Sequence, residues 1–454
     1  MGAFHAYDIR GIYNVDFDRT LAYKVGYFLP ELLKTDKVLV GRDCRVSSDE
    51  IHEYLVNGIL DAGADVCDLG LSSTPLVYFG TANYGFKASV QITASHNPAE
   101  YNGMKVSREN ALPVGLDSGL GQIKAWVEEG RPTPPAAERG AVHDMDIRED
   151  YISFMKKYLG DFSSLRIAFD LSNGMANLFA KEIFGDRPSY IFDTFDGRFP
   201  NHEPNPLIPK NIEPLQDLVR KEHADVGVIY DGDADRVMFV DEQSRFVAPD
   251  LVIALMSRYF CGERGEKNPR VLQEIRSSKA VGEYLAKCGA ELHTWRVGRA
   301  YAAPKLREID GLWGGELAGH YYFKDFFYSD SGILASLIVL RIVSALKKEG
   351  KTLGMAMDEI ASYRNSGEIN FRLEDKQGAM DAVKAFFISG EAPDRVMDFD
   401  GYRVEFPQWW FNIRPSNTEP YLRFICEATT EEMLQLKIKE AQGLLESEFG
   451  AERV

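Results

Sequence analysis

The chain has 454 residues, 45% hydrophobic and 27% charged, which excludes a disordered protein and is too long for a single core; length suggests about three domains, give or take one. A formal net charge of -17 excludes a nucleic-acid binder that neutralises phosphates over a broad basic face, but not a small phosphorylated ligand held by a few local arginines or lysines. Five scattered cysteines (Cys44, Cys67, Cys261, Cys288, Cys426) without a CxxC pair fit thiols of a reducing cytoplasm better than a disulfide framework or a zinc site.

In chain order, MGAFHAYDIRG has no apolar signal core, and YDIRG (7–11) reads as a turn carrying Arg10. KVLVGRD (37–43), the amphipathic SDEIHEYLVNGILDAGA and DVCDLG predict a strand–helix–strand unit. In VQITASHNPAEYNGMKV, Asn97-Pro98 closes off Ser95 and His96 in a turn. EEGRPTPPAAERGAV (128–142) has linker composition. The strand–helix–strand pattern recurs at LRIAFDLSNGMANLFAKEIF, and the five prolines of FPNHEPNPLIPKNIEP (199–214) argue against regular structure there. VGVIYDGDADRVMFV (226–240) predicts two strands around an acidic loop, and RVLQEIRSSKAVGEYLAKCGAEL a third unit. WGGELAGHYYF (313–323) predicts a flexible glycine-rich loop before an aromatic run. The most apolar run, GILASLIVLRIVSAL (332–346), is short and carries Arg341, so it predicts a buried helix and no membrane span. From EINFRLED onward the pattern is a strand-rich α+β module. The fold class is therefore α/β, three similar mixed α/β domains followed by an α+β domain, with boundaries expected at 1–147, 148–245, 246–362 and 363–454.

Three loops carry chemistry. Asp231, Asp233 and Asp235 alternate, so on an extended backbone their carboxylates share one face, where they repel unless a cation compensates them. Oxygen ligands without a neighbouring His or Cys favour Mg²⁺ or Ca²⁺. An EF-hand is ruled against by Arg236, which stands where that loop requires glycine, and by strand-like flanks. In FNIRPSNTEPYLRF, Arg414, Ser416, Asn417, Thr418 and Arg423 crowd anion-binding donors into one strand–turn–strand. Glu316 and His320 could exchange hydrogen bonds with sugar hydroxyls. A hydrolase serine in this fold class usually sits on a G-x-S-x-G elbow, which TASHN lacks. A serine, a hard-metal loop, a phosphate clamp and a hydroxyl-reading loop together suggest phosphoryl transfer.

TASHNP, DGDADR, GGELAGH and RPSNTEP, in that order, resemble the four signature loops of the α-D-phosphohexomutases. FHAYDIRG, VGRDCRVSS, YNGMK and PNHEPNP extend the resemblance over essentially the whole chain, and YNGMK is most similar to the phosphomannomutase/phosphoglucomutase branch. The resemblance implies four domains around a central cleft. It implies a phosphorylated Ser95 that holds Mg²⁺ together with Asp231, Asp233 and Asp235, with Arg236 steadying the transferring group. Lys105 and Arg10 would be active-site cations, and Lys105 or His96 would assist proton transfer. Tyr7, Arg276, Arg299, Glu316 and His320 would contact the sugar phosphate, and Arg414, Ser416, Asn417, Thr418 and Arg423 would clamp the non-reacting phosphate. It further implies a cytoplasmic monomer or weak homodimer acting on hexose phosphates, with a hexose 1,6-bisphosphate as activator and no nucleic-acid or membrane partner.

Against the family's pattern, Ala318 replaces a common serine in the sugar loop, Arg299 a common histidine, and Glu274 and Arg276 a common Asp and Lys. These changes leave the reaction class in place and the choice of mannose, glucose or an amino sugar open. The alternatives are a phosphoglucosamine mutase or a non-catalytic sugar-phosphate-binding protein.

Overall fold

Three times along the chain, a strand, a helix and a parallel strand are followed by a third parallel strand and an antiparallel return. The computed structural model describes residues 2–416 and 420–454. In its first sheet, Lys37–Arg42 pairs in parallel with Asp65–Leu71 and with Ala88–Ile92, and Ala88–Ile92 pairs antiparallel with Tyr101–Arg108. Ile167–Asp170, Ser189–Ile191, Val226–Tyr230 and Val237–Asp241 repeat this order in the second sheet. Arg270–Glu274, Glu291–Trp295, Trp313–Gly315 and Tyr321–Phe323 repeat it in the third. In each copy the chain reverses between the third and fourth strands, and there lie TASHNP, DGDADR and GELAGH in turn. The three loops are thus one topological position used three times.

Three expectations need correction. Arg10 is not in a turn: Ile9–Ile12 is a strand paired antiparallel with Tyr101–Arg108, Arg10 opposite Gly103, because a neighbour 93 positions away completes its hydrogen bonding. WGGELAGHYYF is no flexible loop but two paired strands and a tight turn, with Glu316 and His320 buried. Within 199–214, residues from Pro209 onward are helical (Pro209–Glu222). A proline in the first turn loses no intrahelical bond, so Pro209 starts the helix instead of blocking it. The second sheet ends on the strand Phe246–Val247, the return arm of a hairpin with Val237–Asp241.

The apolar run forms the helix Gly332–Lys348, begun by Ser331, whose hydroxyl accepts the Leu334 N–H. It packs on the second sheet, with Tyr230 Oη donating to Ser336 Oγ. Its first residue must be glycine, since a Cβ at Gly332 would lie 2.9 Å from the carbonyl oxygens of Ala234 and Arg236. A helix following the third sheet therefore presses directly on the acidic loop of the second. All five cysteines are free, and no helix among the described residues is long and apolar enough to cross a membrane.

The C-terminal domain is an antiparallel sheet with the helices Lys376–Gly390 and Glu431–Phe449. It docks on the third domain through buried polar contacts. Arg403 donates to the carbonyls of Ile275 and Ser277, and Glu427 accepts from Ser278 Oγ and Trp410 Nε1. Asp250 lies beneath this joint and accepts the Ser278 N–H. Burial, then the nearby Glu427, pushes its carboxyl up to about 7, against the Ser278 hydrogen bond. A carboxyl raised above its unfolded value stabilises the fold fully below the unfolded pKa, and that contribution is lost as pH rises through the folded one. Between about pH 4 and 7 the wild type should therefore lose a few degrees of thermal midpoint that Asp250→Asn, still able to accept from Ser278, does not lose. Parallel pH profiles of the two proteins by calorimetry or circular dichroism would expose the idea as wrong.

Candidate active site

Alternation in DGDADR and the packing around it gather three fully buried carboxylates, Asp231, Asp233 and Asp235, with donor atoms within 4.8 Å of one another. Ser95 Oγ donates to Asp231 Oδ2 at 2.7 Å. The TASHNP turn carries Ser95 at φ 51°, in the left-handed region, and its N–H is taken by Thr93 Oγ1 at 2.9 Å. The two loops meet because Gly232 has no side chain: a Cβ there would lie 2.5 Å from the Ser95 carbonyl oxygen.

Burial, then repulsion from Asp233 and Asp235, holds the Asp231 carboxyl well above the usual carboxylate range. Lys105 Nζ bridges Asp233 Oδ2 and Asp235 Oδ2 at 2.6 Å each. Burial opposes its charge, but the two carboxylates outweigh burial and keep it protonated above the ordinary lysine value. The other oxygens, Asp233 Oδ1 and Asp235 Oδ1, are buried with no hydrogen-bond partner among the described residues. Orphaned carboxylate oxygens beside a serine hydroxyl, with no sulfur donor, suit a hard divalent cation such as Mg²⁺. His96 Nδ1 stands 3.4 Å from Ser95 Oγ. Burial, then Arg236, Arg10 and Lys105, keeps that imidazole neutral.

The cationic side chains are individually aimed. Arg10 donates to Asn97 Oδ1 at 2.8 Å and pairs with Asp8, tying the first strand to the serine loop. Arg236 Nε donates to His320 Nε2 at 2.9 Å, and His320 Nδ1 donates to Asp330 Oδ2 at 2.6 Å. Arg299 Nε pairs with the other oxygen of Asp330, and its guanidinium stacks 3.7 Å from the Tyr78 ring centroid. A cavity of about 160 Å³ opens among Tyr7, Arg10, Lys105, Arg236, Arg299, Glu316 and His320, with Ala318 on its wall. Tyr7 Oη donates to the Val297 carbonyl across it. Tyr322 Oη donates to Glu316 Oε1 at 2.6 Å; burial raises the Glu316 carboxyl, and His320 and this hydrogen bond oppose the rise.

The remaining candidates lie on the side of the C-terminal domain. Arg414 Nε pairs with Asp400 at 3.0 Å, and the other Asp400 oxygen accepts the N–H of Val297, a cavity residue. Arg414 Nη2 is buried without a hydrogen-bond partner among the described residues. Ser416 N–H donates to the Tyr421 carbonyl at the base of the turn. Asn417 and Thr418 lie outside the described residues. Arg276 is not among the cavity-lining residues; it is clasped between Glu274 and Glu368, and Glu368 also meets Arg423 at 3.5 Å. Sequence reasoning missed Asp330, Asp400 and Thr74, whose hydroxyl donates to Asp233 Oδ2. Asp8, beside Arg10 in YDIRG, carried the one available signal, an acid adjacent to a candidate cation.

Comparison with known proteins finds the domains of one family along the chain. Residues 1–135, 149–244 and 248–363 match the phosphoglucomutase/phosphomannomutase alpha/beta/alpha domains I, II and III, and residues 368–441 match its C-terminal domain. A phosphomannomutase of Escherichia coli is 34% identical over 95% of this chain and 98% of its own. One from Methanocaldococcus jannaschii is 35% identical over 97% of both chains. In fold, a crystal structure of a phosphoglucomutase/phosphomannomutase family protein from Burkholderia thailandensis superposes with a TM-score of 0.86 at 24% identity, covering 98% of this chain and 97% of that one.

Proposed function

Because the chain belongs to the phosphoglucomutase/phosphomannomutase family, we propose that it interconverts hexose 1-phosphates and hexose 6-phosphates, of mannose, glucose or both, through a phosphorylated Ser95. The protein is a mutase, an isomerase by reaction type. The observation that carries the proposal is the Ser95 Oγ–Asp231 bond inside the carboxylate cluster. It sets the hydroxyl beside hard-cation ligands, where phosphoryl transfer needs charge neutralisation.

The phosphoryl group on Ser95 Oγ passes to the 6-hydroxyl of a hexose 1-phosphate; that hydroxyl loses its proton and Ser95 Oγ gains one. The resulting 1,6-bisphosphate turns round in the cavity and returns its C1 phosphoryl group to Ser95, leaving the hexose 6-phosphate. Ser95, Asp231, Asp233 and Asp235 would hold Mg²⁺, which when bound neutralises charge on the transferring group. His96, neutral and adjacent to Ser95 Oγ, exchanges the proton of that oxygen. Lys105, Arg10 and Arg236 act as fixed positive charges. Glu316, His320, Arg299 and Tyr7 contact the sugar. Arg414, Ser416, Asn417, Thr418 and Arg423 hold the distal phosphate, with Arg276 supporting them through Glu368. A hexose 1,6-bisphosphate restores phosphoserine whenever the intermediate escapes. The free thiols support a cytoplasmic setting.

Ala318 leaves the cavity wall without a hydroxyl at that point, so the epimer must be measured. The protein is incubated with Mg²⁺, a trace of glucose 1,6-bisphosphate, and mannose 1-phosphate or glucose 1-phosphate in separate tubes, followed by ³¹P NMR. A 6-phosphate is expected in at least one tube, and the relative rates give the preferred sugar. Conversion of neither sugar, with turnover of an amino-sugar phosphate, would move the assignment to a phosphoglucosamine mutase. Binding without turnover of any of them would leave only a sugar-phosphate-binding protein.

A further inference from the structure

VGRDCRVSS contains an arginine that the mechanism above does not use. Arg45 is buried, with 2% of its surface exposed, and its guanidinium lies under the serine loop. Nη1 donates to the carbonyls of Pro98 at 2.6 Å and Tyr101 at 2.9 Å; Nη2 donates to those of Ser95 at 2.9 Å and Asn97 at 2.6 Å. Nε lies 3.2 Å from Asp43 Oδ2. Asp43 is itself held by the Ser48 hydroxyl and the Arg45 N–H. Phe199, from the second domain, covers the guanidinium at 4.9 Å.

Four backbone carbonyls within seven residues, Ser95 to Tyr101, converge on one planar cation. Within the turn the Tyr101 N–H bonds the Pro98 carbonyl at 3.1 Å, and Pro98 has no N–H to lend to the others. A guanidinium presents its N–H groups in a rigid fork that reaches diverging acceptors at once, whereas an ammonium has three donors at one point. The grip falls on main-chain atoms of the residue carrying the reactive hydroxyl, so it sets the direction of Ser95 Oγ relative to Asp231 without touching either side chain.

We propose that Arg45 is a positioning residue for phosphoryl transfer, holding the serine loop in the strained conformation that aims Ser95 Oγ at the carboxylate cluster. This rests on the assignment of Ser95 as phosphoryl carrier. Loss of the grip should lower the rate of transfer without weakening sugar binding, because the cavity residues belong to other segments.

The test compares wild type, Arg45→Lys, Arg45→Met and Asp43→Asn, each with Mg²⁺ and glucose 1,6-bisphosphate, well below its own thermal midpoint. Phosphorylation of Ser95 is timed by intact mass, and kcat and KM are measured with the sugar found active. For the Arg45 variants, Ser95 loading and kcat are expected to fall about a hundredfold, the cost of a small misplacement of reacting groups, with KM within about twofold of wild type. Asp43→Asn should fall between these and wild type. A folded Arg45→Lys protein with wild-type kcat and loading rate overturns the proposal, as does a loss that follows only the unfolded fraction. If neither Arg45 variant folds, Asp43→Asn decides, and a wild-type kcat there overturns it equally. If wild type takes up no phosphoryl group at Ser95, the carrier assignment fails first and this role for Arg45 fails with it.

Discussion

Ser95→Ala protein is expected to turn over hexose 1-phosphate at least about 10⁴-fold more slowly than wild type, since removal of a covalent carrier leaves only binding and electrostatic effects. Its fold should be intact. Ser95 is fully buried, and when its hydroxyl is removed Asp231 keeps the Arg236 N–H on its other oxygen. Alanine at φ 51° pays a conformational cost close to that of serine. The thermal midpoint should therefore stay within a few degrees of wild type while intact mass shows no phosphorylated species after incubation with the bisphosphate. Turnover within tenfold of wild type would sink the phosphoserine mechanism and require direct transfer between sugars.

Asp233→Ala is expected to lower kcat by about a hundredfold or more and to remove the response of the protein to Mg²⁺. Asp233 offers one carboxylate oxygen to Thr74 and Lys105 and leaves the other without a partner among the described residues. Truncation takes away that oxygen, strands the buried Thr74 hydroxyl at a cost of about 1–3 kcal/mol, and leaves Lys105 with Asp235 alone. In wild type, Mg²⁺ at about a hundred times its dissociation constant should stabilise the fold by about 2.7 kcal/mol, and EDTA should reverse it. The variant should melt at one temperature with Mg²⁺ or with EDTA. An undiminished Mg²⁺ shift in Asp233→Ala would mean that the ion binds elsewhere. Lys105 bears on the affinity, because its ammonium already bridges two of the three carboxylates and an incoming cation must compete with it.

The equivalence of the three reversal loops explains how the site is assembled. Each α/β domain places the loop between its third and fourth strands toward the same centre, so three short motifs lying far apart in the chain converge. DGDADR and GELAGH are bonded to each other: Arg236 and His320 form a β-bridge, and the Val237 N–H donates to the Gly319 carbonyl. Hydrogen bonds through His320 and Asp330 then extend from Arg236 to Arg299. The guanidiniums at the cavity are thus directed by groups in two domains, and a movement of one domain relative to the other would redirect them.

Local pattern was sufficient for the elements and for the chemical types. Alternating carboxylates between two apolar runs announce a metal loop, and strand–helix–strand spacing announces parallel units, because both depend on contacts within a few residues. The same locality explains the failures. YDIRG reads locally as a turn because its strand is completed only by Tyr101–Arg108, and the proline-rich segment hides a helix start because a proline's effect depends on its position in the first turn. Asp330, Asp400 and Thr74 carry no local signal at all; each matters only through a partner brought to it by packing.

By itself, then, the sequence pointed to phosphoryl transfer and named one serine and three carboxylates to be tested, since residue identity sets which bonds a side chain can form. Tertiary structure alone decided that Lys105 reaches Asp233 across 128 positions, that Arg45 grips the serine loop, and that Arg276 faces Glu368 and not the cavity. Such pairings rest on how sheets and helices stack, and the energy of an ion pair depends on the distance and burial that stacking produces, quantities that no short window of residues contains.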